Sequence, residues 1–495
     1  MKFKNIYIGI GLFSVLSLAA CKKVIEVEPE FQKERSQLFT SLTDYQYSLS
    51  GTYSLLRQVG YYGSGAQTTS TWANLPDMMA DNLVQTGEDL ANWQNQTNWV
   101  YNSTEDDINV AWVAAYTVIR QANITLNGID QFAANEPKAV NRIKGQALAI
   151  RAMAHFDVLR FWGEEYDRNS TKLGVPYITT EDKEIRPARL TVKESYDSIF
   201  RDMLAAEVML GDVDMAINTA TNRTGIDQLA ARALLARMYL YAKVYDKAEE
   251  YATLVIDARP LATREQFPQI WKDDSQAEVI WAVSFNAGEG SPSSGAHNAP
   301  SNRNRFRPET VTLIPSFDQT NDVRFASYFA SRPSGSITAS NPRNIVRYDS
   351  LTRKIINKFI GRGSFTDNVV NWKVLRTGEM YLIRAEARAM QPGKELLSLA
   401  DLNALRAARI AGYVPVVLAG APLMDAIKLE RRKELFGEGH RWFDLRRWNQ
   451  PIERVDVVLA STQTSLPTSA REWIWPIPQP EIDANPNMQQ NTAWR

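Results

Sequence analysis

The chain has 495 residues with 56 basic and 56 acidic side chains, so its formal net charge is zero, which argues against a broad electrostatic hold on nucleic acid. At 44% hydrophobic residues it can bury a large core, as roughly two to four domains or one long helical array. A single cysteine excludes any disulfide within the chain, while 13 Trp, 19 Tyr and 18 Phe supply core or stacking platforms.

The N-terminus places Lys2 and Lys4 before the apolar run IYIGIGLFSVLSLAA, too short and poorly flanked for a comfortable membrane span. The run ends Leu18–Ala19–Ala20–Cys21, which resembles the lipobox of bacterial lipoprotein signal peptides, and it holds the chain's only cysteine. Residues 1–20 are therefore expected to be a signal peptide. Cys21 is the expected lipid attachment point, and 21–36 reads as an extended tether joining the chain to a membrane by acyl chains.

Helical spacing of apolar residues then predicts helices over 37–60, 106–131 and 141–163, the last stopped by Gly163. Between them, 61–104 is rich in Gly, Ser, Thr, Asn and aromatics and reads as long loops with short helical pieces. Helical patterns resume at 191–211 and 225–258. In the latter, Leu235, Ala236 and Tyr239, then Ala248, Ala252 and Pro260, fall in register with the 34-residue tetratricopeptide template. Small residues at such a crossing let two backbones approach closely. From 262 to 375 prolines and glycines recur between short apolar runs such as EVIWAVSF, predicting a loop-rich insertion with a few short strands. Helices return at 377–391, 398–411 and 421–437, and a Pro-rich tail follows from 450. The fold class is mostly α: a tetratricopeptide-like helical-repeat solenoid over 37–261 and 376–495, carrying the insertion.

Several segments together resemble the SusD/RagB family of Bacteroidetes surface lipoproteins: the lipobox, GQALAIRAMAHFDVLRFWGEEY with GVPYITT after it, TGEMYLIRAEARAM, ERRKELFGEGHRWFDLRRW, and WPIPQPEIDANPNMQQN. They span nearly the whole mature chain in the family's order. The resemblance implies four tetratricopeptide-like helix pairs supporting a variable loop-rich part. It also implies non-catalytic nutrient capture, of oligosaccharides first, for a SusC-like TonB-dependent outer-membrane transporter. One departure is GEEYDRNS at 163–170, where a longer loop is expected.

The residues offer little for catalysis. His155, His297 and His440 are far apart in sequence, and no HExxH, GxSxG, P-loop or GxGxxG context occurs. Acid pairs such as Asp81 with Glu88, or Glu164 with Glu165, carry no glycosidase context. The run Glu105–Asp106–Asp107 reads as a helix start, where acids suit the dipole. No metal cluster or cofactor is expected, with a structural calcium on loop carboxylates left open. Trp112 and Tyr116, at i and i+4, read as helix packing, as does Trp162; Trp473 and Trp475 read as docking the tail.

The loop aromatics Tyr61, Tyr62, Trp72, Trp93, Trp99, Phe285 and Phe306 admit two readings. An exposed ring beside amides packs on the apolar face of a sugar, whose hydroxyls Asn74, Asp81, Asn82 and Arg305 could bond. Alternatively each ring pins its own loop to the scaffold. As a set they are the expected ligand-binding residues. Competing functions are peptide or other nutrient capture in the same architecture, a surface glycosidase, and a structural adaptor. The most chemical-looking stretch, RRKELFGEGHRWFDLRRW at 431–448, reads as scaffold, with Arg441, Arg446 and Arg447 pairing with acids such as Glu434, Glu438 and Asp444.

Overall fold

The structure, a computed structural model, describes residues 35–65, 70–88, 93–300, 303–331 and 354–495. The expected signal peptide, Cys21 and nearly all of the tether lie outside the described residues. Up to Tyr47 the described chain forms a unit of its own. It holds the short helix Arg35–Leu38 and the start of α1 (Leu42–Leu55), where Asp44 accepts from the Thr40 and Ser41 N–H groups at 3.0 and 2.8 Å. The single helix expected over 37–60 is thus two helices, ending at Leu55.

In the second unit, Ser48–Arg495, the helices follow the sequence pattern closely. Those of seven or more residues are α2 (Asp106–Leu126), α3 (Pro137–Trp162), α4 (Val192–Leu210), α5 (Gln228–Tyr241), α6 (Tyr245–Ala258), α7 (Thr377–Ala389), α8 (Glu395–Arg409), α9 (Gly420–Glu434) and α10 (Arg441–Arg447). The local reasons can be read at their ends. Pro137 starts α3, Thr191 and Glu194 form a reciprocal capping box on α4, and Asp227 caps α5 by accepting from the Ala230 N–H at 2.9 Å. Each helix from α2 to α7 packs on the next, and α8 and α9 both pack on α7. In the α5–α6 pair, Ala248 and Ala252 are fully buried and Tyr239 stacks on Phe200 at 4.2 Å, as the repeat register predicts.

The insertion leaves after α6 and returns at α7, which nonetheless pack together. Its ends close on themselves: β2 (Val279–Val283) pairs antiparallel with β8 (Trp372–Arg376). Its described residues also hold short helices and two further short antiparallel pairs, β3 (His297–Asn298) with β4 (Arg303–Asn304), and β6 (Phe329–Ser331) with β7 (Lys354–Ile356). A further pair ties the first loop region to the insertion, β1 (Leu83–Gln85) with β5 (Phe306–Pro308). The tail docks by aromatics: Trp475 stacks on Phe161 at 3.9 Å, the Trp162 indole donates to the Pro476 carbonyl at 2.9 Å, and Trp473 packs on Trp442 at 4.5 Å.

Beneath the insertion lies a buried ion-pair network. Glu434, at the end of α9, meets Arg324, Arg376 and Arg409 at 2.9–3.0 Å, all of them essentially fully buried. Glu278 pairs with Arg376 and Arg409, Glu438 with Arg376 and Lys358, and Glu430 with Arg324 and Arg406. The glycine in TGEMYLIRAEARAM has its reason here: a Cβ on Gly378 would stand 2.4 Å from the Glu434 Oε1.

The 431–448 stretch is scaffold, but most expected pairings are replaced by others. Arg447 does pair with Asp444, at 2.9 Å, and also with Glu386. Arg441 instead grips both oxygens of Asp81, at 2.7 and 2.8 Å. Arg446 donates to the carbonyls of Arg160 and Gly163 at 2.7 and 2.5 Å. The cause is the turn between α9 and α10. Gly437 and Gly439 sit at φ +69° and +80°, which reverses the chain and sends the basic side chains on either side toward different neighbours. A Cβ on Gly439 would lie 2.5 Å from the carbonyls of Trp72 and Ala73, so the loop at 72–73 seats directly on this turn.

Arg441→Ala is accordingly expected to destabilise the fold by about 3 kcal/mol, the lower end for breaking a buried pair, because Arg432 stays 3.5 Å from Asp81. Urea titration monitored by tryptophan fluorescence checks this, and a loss within 0.5 kcal/mol, ordinary for a surface site, would contradict it.

Candidate functional site

The two aromatic-rich loop regions, separate in sequence, form one face. Besides the β1–β5 pair, Thr86 N–H donates to the Arg305 carbonyl at 2.9 Å, Ser64 N–H to Gly290 at 2.9 Å, and the Asn74 amide to Pro292. Trp93 stacks on Phe306 with centroids 6.2 Å apart, and the Arg305 guanidinium lies 6.0 Å from the Trp93 ring.

The exposure that sugar stacking requires is missing from these rings. Tyr61, Tyr62, Trp72, Trp93, Trp99, Phe285 and Phe306 are all buried, none more than 6% exposed. They anchor loops. The Tyr61 hydroxyl donates to Asp157 Oδ2 at 2.7 Å, and the Trp72 indole donates to the Asp157 carbonyl at 3.1 Å, pinning both to α3. The Trp99 indole donates to the Met79 carbonyl at 2.9 Å under the Arg454 guanidinium. A buried aromatic takes about 150–250 Å² from water, enough to hold segments with few ladder hydrogen bonds of their own.

The expected polar partners are mostly committed too. Asp81 spends both oxygens on Arg441; burial would raise its pKa, yet the Arg441 and Arg432 guanidiniums hold it well below the usual carboxylate range. Asn82 donates to Asp77 at 2.6 Å and accepts from Arg432 at 2.9 Å, and Asn74 is buried. Of the expected polar set, Arg305 is half-buried beside Trp93 and Asp81 is partly exposed.

What the face offers instead was not singled out by the sequence. Phe365, on the insertion, is 69% exposed. Its loop is held rigidly: Phe365 N–H donates to the Arg362 carbonyl at 2.9 Å, and the Arg362 guanidinium binds Asp273, Asn371 and the Phe285 carbonyl. Farther along, Asn368 donates to Ser293 and to the His297 carbonyl, both at 3.1 Å, joining this loop to the segment that packs about Trp93. Among the described residues the Trp93 Nε1, Gln96 Oε1, Ser291 Oγ and Asn304 Oδ1 atoms of the two loop regions are buried with no hydrogen-bond partner. Phe365 lies in GRGSFTDN, flanked by the same small and polar residue types that drew attention to the other loop rings.

Two concavities lie elsewhere. Trp112 and Tyr116 pack as expected, on each other at 4.7 Å and, through Trp112, on Trp162 at 5.2 Å, and also line a groove of about 440 Å³ between α2 and the extended segment at 176–187, with Val113, Ile178 and Ile185 beside them. A second cavity, of about 480 Å³, lies where the tail meets the ends of α3 and α10.

Groups suited to chemistry are tied up. His155 donates or accepts at both ring nitrogens, with the Arg151 carbonyl at 2.8 Å and the Ile178 N–H at 2.9 Å, and burial pulls its pKa down to about 3. Burial and the nearby arginines likewise keep His440 neutral. Of the acid pairs considered, Asp81 is clamped, Glu88 accepts from Asn304 N–H at 2.9 Å, Glu164 from Thr492 N–H at 2.6 Å, and Glu165 pairs with Lys172 at 3.0 Å. Among the described residues no cluster of three or more His, Cys, Asp or Glu side chains is placed to hold a metal ion. No described helix is long and apolar enough to cross a membrane.

With this geometry in view, residues 32–240 match a family model described as starch-binding, associating with the outer membrane, and residues 332–494 match the SusD family model. A curated relative from Formosa agariphila, "SusD-like protein P38", is 24% identical over all of both chains. A SusD superfamily protein of known structure from Bacteroides thetaiotaomicron is 26% identical with TM-score 0.77, covering 91% of this chain and 99% of that one. A SusD-like carbohydrate binding protein from Bacteroides vulgatus is 22% identical with TM-score 0.74, covering 91% and 98%.

Proposed function

The chain belongs to the SusD/RagB family, and on that premise we propose that it is a lipid-anchored, outer-membrane protein that binds oligosaccharides without transforming them. It presents them to a SusC-like TonB-dependent transporter from the extracellular side, with Cys21 carrying the lipid. The observation that supports the reading best is the full-length similarity to SusD-like proteins, among them one described as carbohydrate binding. Two exposed or half-exposed groups fit that ligand class: Phe365 offers an open ring and Arg305 a half-buried guanidinium. The sequestered histidines and clamped acids favour binding over turnover.

A glycan array with a chain lacking residues 1–21 tests this, together with product analysis of each bound sugar. Retention of at least one oligosaccharide with no product is expected. Binding of peptides alone would support the competing reading, for which the apolar Trp112–Tyr116 groove speaks. Hydrolysis abolished by one Glu→Gln change would support an enzyme. Phe365→Ala should weaken the retained glycan by about 1–2 kcal/mol, roughly 5- to 30-fold, and leave the melting temperature unchanged because the ring is exposed. The transporter is sought by co-purification from a detergent extract.

A further inference from the structure

The cavity of about 480 Å³ at the tail shares no lining residue with the loop face. One wall is the 163–170 loop, the segment that the sequence marks as departing from the family pattern; the others are the end of α10 and the turn at 468–474. Its size lies within the range of about 300–1,000 Å³ usual for small-molecule sites.

The walls are fixed by the backbone. Helix α10 ends in paired hydrogen bonds, Asn449 N–H to the Arg446 carbonyl at 3.1 Å and Gln450 N–H to Leu445 at 2.9 Å. This termination holds Asn449 at φ +52°, a left-handed conformation that asparagine tolerates. Opposite, the Trp473 indole donates to the Pro467 carbonyl at 2.9 Å, and Ala470 N–H to the same carbonyl at 3.0 Å, closing the 467–473 turn.

Four polar side chains of these walls are open to solvent, Asn449, Thr468 and Ser469 exposed and Gln450 partly so. Asn449, Gln450, Thr468 and Ser469 line the cavity, and their amides and hydroxyls form no hydrogen bond to any described residue. The Arg446 guanidinium, bound to carbonyls and to the Tyr166 hydroxyl, has no carboxylate partner among the described residues, and Lys243 meets Asp167 only at 4.0 Å. Glu164, Glu165 and Asp167 on the same wall oppose these cations, while the other two lining cations, Arg447 and Arg471, pair with Glu386, Asp444 and Glu472 outside the lining. A lining of free amides and hydroxyls, with charges of both signs around it and Trp473 and Ile474 supplying apolar surface, suits a polyhydroxylated ligand better than an apolar side chain.

We propose that this cavity is a second saccharide subsite, taking one or two sugar residues through Asn449, Gln450, Thr468 and Ser469, separately from the loop face. It deepens the carbohydrate-binding reading and rests on it for the ligand class.

The test uses the full mature protein in detergent and saturation-transfer NMR with maltose, cellobiose, xylobiose and lactose as probes. The variants are Asn449→Gly with Gln450→Ala, which removes both amides while keeping the left-handed turn relaxed, Ser469→Trp, which fills the space, and Phe365→Ala on the loop face. The expected result is binding of at least one disaccharide to the parent, the share that persists once Phe365→Ala has weakened the loop face being that of the cavity. That share should be weakened about tenfold or more by the double variant and lost in Ser469→Trp, with melting temperatures unchanged. Disaccharide binding that is undiminished in both cavity variants, or that only Phe365→Ala removes, overturns the subsite while leaving the broader carbohydrate reading intact. If no disaccharide binds the parent, the subsite is again overturned, and longer glycans on the array decide the broader reading separately.

Discussion

Glu434→Ala is expected to cost about 3–5 kcal/mol of folding free energy, a large part of a stability that for most domains is only about 5–15 kcal/mol. Glu434 is fully buried and faces three guanidiniums, those of Arg324, Arg376 and Arg409. Removing it leaves their charge in a water-free interior. Arg324 retains Asp322 and Glu430, and Arg376 retains Glu278 and Glu438, but Arg409 is left with Glu278 alone, which it shares with Arg376. The cost is therefore that of uncompensated charge, which exceeds what the pairs contribute over an apolar core of the same shape. The network also joins the solenoid to the insertion, because Arg324 and Arg376 belong to the insertion and its returning strand while Arg409 and Glu434 end α8 and α9. Urea denaturation at neutral pH should show a lower midpoint with an unchanged m-value. A loss below about 1 kcal/mol, the middle of the range for any point mutation, would show that the network is not what holds these parts together.

The helices were legible because their apolar spacing reports which face is buried, and the tetratricopeptide register at Tyr239, Ala248 and Ala252 carried even the pairing of α5 with α6. Helix α3 shows where that signal thins. It is buried from Gly145 to Trp162, so burial leaves no polar face, and its Arg151, His155 and Asp157 serve partners far away in sequence: Asp202, the Ile178 N–H and Tyr61. Periodicity cannot name such partners. The same holds for 431–448, where the glycine turn and not the proximity of Arg441 to Glu438 decides who pairs with whom. The loop rings misled for a related reason. Gly, Ser and Asn around a tryptophan signal irregular backbone, but irregular backbone next to a large scaffold is held down by burying its rings. Phe365 has the same neighbours and is exposed, and that difference arises from tertiary packing alone.

Acid should unfold this protein in two overlapping stages, the first beginning below about pH 6.5. His155 has its pKa lowered by burial from 6.5 to about 3, and His440 is held well below its ordinary value by burial and arginine charge. The unfolded chain therefore takes up protons there that the folded chain refuses. Stability from a depressed histidine is complete above the unfolded pKa and is lost as pH falls; for His155 this amounts to about 4–5 kcal/mol across the window. The second stage opens below about pH 4.5. Burial alone would raise Glu430, but Arg324, Lys433 and Arg406 bring it down to about 2, and guanidiniums hold Glu434 and Asp81 well below the usual carboxylate range in the same way. Their contributions are complete above the unfolded pKa and are lost as pH falls through the folded values, Glu430 alone contributing about 3 kcal/mol. One buried acid opposes the trend. Asp77 takes N–H donors from Gly437 and Gly439, yet burial pushes it up to about 6. Its folded form holds a proton that the unfolded chain releases between about pH 4 and 6, so it adds stability as pH falls across that interval and softens the first stage. Melting temperatures between about pH 7 and pH 3 should accordingly fall gently at first and then steeply. Glu430→Gln should flatten the steep part and His155→Gln the gentle part. A profile level down to about pH 4, with neither variant changing its slope, would mean that these groups titrate alike in the folded and unfolded chains.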